Sequence, residues 1–161
     1  MTNPGIPISP ERPLLLETVR SLLRGKDSRI FALGPDATVY EAIAMMAERG
    51  VGALLVVDNG RLAGIVSERD YARKVILKGK SSRETAVREI MTSQVITVTP
   101  EHTADECMRL VTQHRIRHLP VMDGDRIAGM ISIGDLVKAI ITNQAHTISQ
   151  LSAYITGRYP A

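Results

Sequence analysis

From Ile30 onward short continuous apolar runs alternate with stretches whose apolar residues are spaced three to four apart, and each switch marks an element. Ile30 to Leu33 is a short apolar run stopped by Gly34-Pro35, which predicts a strand. Thr38 with Glu41 makes a capping box, and Val39, Ala42, Ile43, Met46 and Ala47 follow at helical spacing until Arg49-Gly50 ends the helix. Ala53 to Val57 and Leu62 to Val66 read as strands joined by Asp58-Asn59-Gly60-Arg61, whose Asn-Gly pair suits a tight hairpin turn with positive φ. Ser67 then opens a second helix over Arg69 to Lys78. Upstream, Leu14 to Arg24 predicts a helix ended by Gly25; downstream, Ile148, Leu151 and Ile155 predict a short amphipathic helix ended by Gly157. The polar connector Lys78 to Glu84 is expected to be mobile.

The same pattern then runs a second time. With Pro35 set over Pro100, position n meets its counterpart at n+65 without a gap. Pro35/Pro100, Thr38/Thr103, Glu41/Glu106, Leu54/Leu119, Val56/Val121, Asp58/Asp123, Arg61/Arg126, Ala63/Ala128, Gly64/Gly129, Ser67/Ser132 and Asp70/Asp135 are identical. Asp123-Gly124-Asp125-Arg126 repeats the hairpin, and Ser132 opens a helix over Gly134 to Thr142. The fold class is therefore α+β, two tandem β-α-β-β-α copies. With few aromatics and many Ala and β-branched residues, neither copy looks able to cover its own sheet and helices, so the copies should pack on each other. The division expected is an N-terminal arm and helix over 1–21, copies over 22–80 and 81–143, and a helical tail over 144–161.

Composition narrows the setting. A chain of 161 residues with 44% hydrophobic content can bury a core as one compact unit. Its 20 Lys+Arg against 17 Asp+Glu are dispersed, not clustered as a polyanion footprint would be, so nucleic acid is not an expected partner. The single cysteine makes no internal disulfide. Met1 to Pro13 carries four prolines and no apolar targeting core, and no stretch approaches the roughly 18 apolar residues of a membrane span. A cytoplasmic protein with a loose N-terminal arm is the expectation.

The duplicated wording carries a resemblance. In copy two it comprises Val87-Arg88-Glu89-Ile90-Met91-Thr92, His114-Arg115-Ile116-Arg117-His118-Leu119-Pro120-Val121-Met122-Asp123, and Gly129-Met130-Ile131-Ser132-Ile133-Gly134-Asp135-Leu136. Copy one matches with Gly64-Ile65-Val66-Ser67-Glu68-Arg69-Asp70. Over roughly residues 22 to 143 the chain resembles the CBS domain family in its tandem form, the Bateman module. The resemblance implies a regulatory module that binds an adenine nucleotide (AMP, ADP, ATP, NAD or S-adenosylmethionine) in clefts between the copies and signals energy or redox state to a target protein. It implies pseudo-twofold symmetry between the copies, no catalytic cofactor, no enzyme activity and a homodimeric disc. Ser67 and Ser132 would bond phosphate or ribose oxygens, and Asp70 and Asp135 the ribose hydroxyls. A carboxylate accepting from two vicinal hydroxyls and a Ser beside free helix N–H groups suit that task.

By the same resemblance each cleft borrows strands from the opposite copy. The first would gather Ser67, Arg69, Asp70, Met91, Ile96, Ile116, Arg117 and His118, with the two basic side chains reaching the phosphates. The second would gather Ser132, Gly134, Asp135, Lys26, Ile30, Val51, Gly52 and Ala53. The first should take the more highly charged ligand, because Gly134, Gly52 and Ala53 stand in the second where Arg69, Arg117 and His118 stand in the first. Copy one departs from the family where Gly25-Lys26-Asp27 replaces Ile90-Met91-Thr92 and Leu55 replaces Pro120.

Simpler explanations stand beside these. Ser-x-x-Asp is also a plain capping box, but its recurrence after Gly in matched places favours ligand contact in at least one copy. His118 beside Arg117 is open between a solvated pair and a phosphate contact, while His102, His114 and His146 read as surface residues. Cys107 aligns with Ala42 and reads as a core thiol, and the Met residues fall at core spacing. No Walker glycine loop, metal-ligand spacing or nucleophile-base arrangement supports a nucleotide hydrolase, and a purely structural scaffold with vestigial clefts is the other alternative.

Overall fold

A computed structural model describes residues 16–26 and 29–142. In chain order it contains α1 (Val19–Arg24), β1 (Ala32–Leu33), α2 (Val39–Arg49), β2 (Ala53–Asp58), β3 (Arg61–Ser67), α3 (Glu68–Tyr71) running on as a π turn (Ala72–Ile76), a 3-10 turn (Val87–Glu89), α4 (Ala104–His114), β4 (His118–Asp123), β5 (Arg126–Ser132) and α5 over 133–142. The arm Met1 to Pro13 and the expected helix through Ile148, Leu151 and Ile155 lie outside the described residues.

The two copies are built by matching local chemistry. Thr38 and Thr103 each accept from the N–H three residues on, and Glu41 and Glu106 reach back to the cap N–H, so α2 and α4 start on complete capping boxes. Both strand hairpins pair antiparallel and slip register at the same place, between Val56 and Val57 and between Val121 and Met122. The first turn takes positive φ at Asn59 and Gly60, the second at Gly124 only. Ser67 and Ser132 each accept from the N–H of the aspartate three residues on, and each aspartate carboxylate returns a bond from the serine N–H.

The symmetry fails at the first strand. In copy one β1 pairs parallel with β2, Ala32 with Leu55 and Leu33 with Val56. In copy two the matching strand shrinks to one parallel bridge, Val98 to Val121. Two cores result. One gathers Val39, Ala42, Met46, Leu54, Val56 and Val66, the other Ala104, Cys107, Val111, Leu119, Val121 and Ile131. Each also buries a segment from before the opposite copy: Val87 and Ile90 complete the first core, and Val19 the second. Exchange of these segments is how copies with small apolar faces cover each other.

Three sequence expectations are corrected. Of the helix expected over Leu14 to Arg24, residues 16–18 are not helical and α1 begins at Val19, because Thr18 caps it by accepting from Ser21 N and bridges Thr103 across the copies, while Leu14 and Leu15 lie outside the described residues. The helix expected over Arg69 to Lys78 gives way to the π turn after Tyr71 and ends at Ile76, short of Gly79, where φ is 67°. The connector 78–84 is tied down: Ser82 and Thr85 carbonyls accept from the N–H groups of Tyr40 and Val39, which α2 leaves unpaired in its first turn. Arg83 also lies 3.9 Å over the Tyr40 ring.

Candidate functional site

The clefts open where the two hairpins meet. Glu68 N–H donates to Gly52 O, and at the matched place Ile133 N–H donates to Arg117 O, so the start of each second helix is pinned to the strand entry of its own copy. His118 and Gly52 face each other near this junction, since a Cβ on Gly52 would lie 3.7 Å from His118 Cε1 and 3.8 Å from Glu68 Oε1.

The first cleft is a cavity of about 430 Å³. Of the residues expected there, Ser67, Arg69, Asp70, Ile96, Ile116, Arg117 and His118 line it. Asp70 Oδ2 accepts from Ser67 N at 2.9 Å and Ser67 Oγ at 3.1 Å, and Oδ1 pairs with Lys74 Nζ at 3.0 Å. Lys74 also donates to Ile90 O at 2.8 Å, and Arg69 Nη1 to Arg115 O at 3.3 Å. Ile65, Val95, Ile96 and Ile116 form an apolar wall, while Arg69, Arg73, Lys74, Arg115 and Arg117 supply positive charge against Glu68 and Asp70.

Two placements differ from expectation. Met91 stands behind this wall, its Sδ only 2.8 Å from where a Gly64 Cβ would be, and Thr92 lines the cavity instead. Gly52, expected in the second cleft, belongs to the first. Reading the sequence also missed Arg73, Lys74 and Arg115. The first two follow Arg69 and Asp70 at i+4, the spacing of one helical face, and Arg115 sits in the basic run from His114 to His118, so the signals were present.

His118 is not a solvated cation. Burial, then the charges of Lys26 and Arg117, hold its imidazole below the ordinary value, against an opposing pull from Asp135. The positive charge in the cleft therefore comes from the arginines and Lys74.

The second cleft is a different object. Its cavity is about 230 Å³, lined by Lys26, Ile30 and Val51 as expected and by Leu23, Arg29, Phe31, Arg49, Leu55, Gly129 and Met130. Ser132, Gly134 and Asp135 are not among its walls, and Ala53 is fully buried in β2. Lys26 Nζ donates to Asp135 Oδ2 at 2.7 Å and to Met130 O at 2.9 Å. Burial by itself would raise the Asp135 carboxyl, but the Lys26 hydrogen bond, the Ser132 bonds and the Lys26 charge outweigh it and hold it below the usual carboxylate range. Arg49 and Arg29 lie 5.2 and 5.7 Å from the Phe31 ring centre.

The geometry corrects the alignment upstream of copy one. Leu23 packs under Gly129 as Met91 packs under Gly64, so Leu22-Leu23-Arg24, not Gly25-Lys26-Asp27, occupies the place of Ile90-Met91-Thr92. From Leu23 to Ile30 is seven steps and from Met91 to Val95 four, so copy one carries three extra residues here.

Duplicated β-α-β-β-α copies around paired clefts define the class as a tandem regulatory module. The CBS domain profile matches residues 16–76 and 87–142, and the chain belongs to the CBS domain family. The CBS domain-containing protein CBSX3, mitochondrial, of Arabidopsis thaliana is 42% identical over 154 residues, 92% of this chain and 75% of that protein. A protein of known structure with CBS domains from Burkholderia ambifaria MC40-6 is 54% identical with a TM-score of 0.77, covering 79% of this chain and 96% of that one. The CBS domain pair of protein MJ0100, in complex with 5′-methylthioadenosine and S-adenosyl-L-methionine, shares the fold at 23% identity and a TM-score of 0.68, covering 76% of this chain and 94% of that one. Among the described residues no helix is long and apolar enough to cross a membrane.

Proposed function

We propose that this CBS pair is a sensor that binds an adenine nucleotide in the first cleft and passes its occupancy to a partner protein through a shift in the packing of the two copies. The first cleft carries the reading. A cavity of about 430 Å³ falls in the range of small-ligand sites, and it sets an apolar wall of Ile65, Val95, Ile96 and Ile116 near the Ser67-Asp70 pair. That combination suits a base, a vicinal diol and a charged tail. The five cations favour ATP or ADP over AMP, NAD or S-adenosylmethionine. MJ0100, a pair of the same fold, holds adenosine compounds, which supports the ligand class at the level of the fold.

The cleft is read as binding without turnover, because both carboxylate oxygens of Asp70 are already engaged, Oδ2 by Ser67 and Oδ1 by Lys74. A homodimer is proposed from α5, whose Ile133, Val137 and Ile141 are 39%, 43% and 60% exposed at a spacing that stacks them on one helix face. A reducing compartment such as the cytoplasm accords with a lone, buried Cys107.

Calorimetric titration of AMP, ADP, ATP, NAD and S-adenosylmethionine into the wild type, Asp70→Ala and Asp135→Ala tests the reading. Saturable binding of ATP and ADP, abolished by Asp70→Ala, kept by Asp135→Ala and weakened by added salt, is expected. Absence of heat with all five ligands overturns it. Sedimentation to a monomer at working concentration overturns the dimer.

A further inference from the structure

We propose that Lys26 is a specificity-determining residue that plugs the ribose end of the second cleft with its own ammonium group, leaving this CBS pair one open nucleotide site per chain; the count rests on the reading of the first cleft given above. Asp135 and Ser132 carry the same reciprocal hydrogen bonds as Asp70 and Ser67, so the second cleft keeps its diol-binding pair in working geometry. What differs is the origin of the cation.

In the first cleft Lys74 reaches Asp70 from four residues along the same helical segment, and both remain in the walls of the cavity. Copy two has Ala139 at the matching position, so no lysine stands four residues after Asp135. Lys26 comes instead from 109 residues away, out of the connection between α1 and β1. Its side chain lies in the wall of the remaining cavity while Asp135 does not, so the lysine separates the base end from the diol end. The carboxylate oxygen it takes, Oδ2, also accepts Ser132 N at 2.8 Å.

The main-chain pairing explains why a side chain can enter here. In copy one Ile65 and Thr92 exchange both backbone hydrogen bonds, at 3.0 and 2.9 Å, which seals that strand edge with main chain. At the matched edge Met130 O accepts from Lys26 Nζ instead. With three extra residues between Leu23 and Ile30, a lysine side chain meets this edge where the Thr92 main chain meets the other. An ammonium satisfied by a carboxylate and a carbonyl is held at 2.7 and 2.9 Å, and an incoming diol would have to displace it from a charge-assisted bond. The cavity left, about 230 Å³ against about 430 Å³, is the size difference this partition produces.

Two measurements on the full chain test the plug. Amine acetylation read by mass spectrometry requires no nucleotide: Lys26 should label at least about tenfold more slowly than exposed Lys78 and Lys80, and Asp135→Asn should remove most of that protection. Equal rates in the wild type overturn the proposal. ATP titration supplies the consequence: one site in the wild type, two in Lys26→Met, which keeps the aliphatic stem, and one in Lys26→Met with Asp70→Ala. Two sites in the wild type, or one in a folded Lys26→Met, overturn it. If no variant binds ATP while labelling shows Lys26 protected by Asp135, the nucleotide reading fails and the plug stands.

Discussion

Replacement of Arg115 by glycine should make the protein more stable and its first cleft weaker. Arg115 ends α4 with φ 53° and ψ 43°, a left-handed conformation, while its counterpart Gly50 ends α2 with φ 65° and ψ 37°. In both, the cap N–H closes the helix, onto Val111 O and Met46 O respectively, so glycine keeps the same bond. A side chain in that region costs about 1–2 kcal/mol, and glycine gives back about 0.4–1 kcal/mol through the unfolded chain, for a net gain of about 0.5–1 kcal/mol. For a chain of this length that raises the melting temperature by about 1–4 °C. Little packing is lost, because Arg115 is exposed, and its carbonyl still accepts from Arg69. The lost guanidinium lines the cavity and should lower ATP affinity by about threefold to tenfold. Urea unfolding and ATP titration on the same preparation check both halves. A lower unfolding midpoint refutes the backbone argument, and unchanged ATP affinity refutes a role for Arg115 in the cleft.

Gly64→Ala should cost about 2–4 kcal/mol, since its Cβ would fall 2.8 Å from both Met91 Sδ and the Thr92 carbonyl that bonds β3, whereas Gly129→Ala meets only the mobile end of Leu23 and should cost less than about 1.5 kcal/mol. Equal losses in denaturant midpoint would contradict that asymmetry. His118 has a folded value below its unfolded 6.5, so its contribution to stability is complete above about pH 6.5 and fades as pH falls through the folded value. NMR titration should find His118 below the ordinary histidine value, and Lys26→Met should move it upward; no movement would place Lys26 away from the ring. Cys107, fully buried and pushed up to about 11 chiefly by burial, should resist thiol reagents in the folded protein and react only on unfolding. Leu54→Ala, which empties a fully buried position of the first core, should cost about 2–5 kcal/mol by denaturant unfolding.

The capping boxes at Thr38 and Thr103, the turns at Asn59-Gly60 and Gly124, and the Ser-x-x-Asp starts at Ser67 and Ser132 were all legible in the sequence, because each is decided by hydrogen bonds among residues a few positions apart. Repetition made them more secure, since each local signal occurs twice at a step of 65. Cys107 was legible for the same reason: its counterpart Ala42 lies on an apolar helix face. The first cleft followed largely from its resemblance, although the helical spacing that brings Arg73 and Lys74 in beside Asp70 was there to be used.

Long-range pairing was not legible. That Val19 completes the second core and Val87 the first depends on which strand edge each segment finds after the chain has turned through a whole copy. The connector 78–84 looked mobile because its residues are polar, yet it is held by the unpaired N–H groups of α2, a demand written in a distant helix. The sequence alone determined that there are two copies, the order and type of their elements, and the identity of the Ser-Asp pair in each. Only the tertiary structure decided that these pairs are unequal, because the ion pair between Lys26 and Asp135 joins residues 109 apart, and such a contact exists only once both copies are folded against each other.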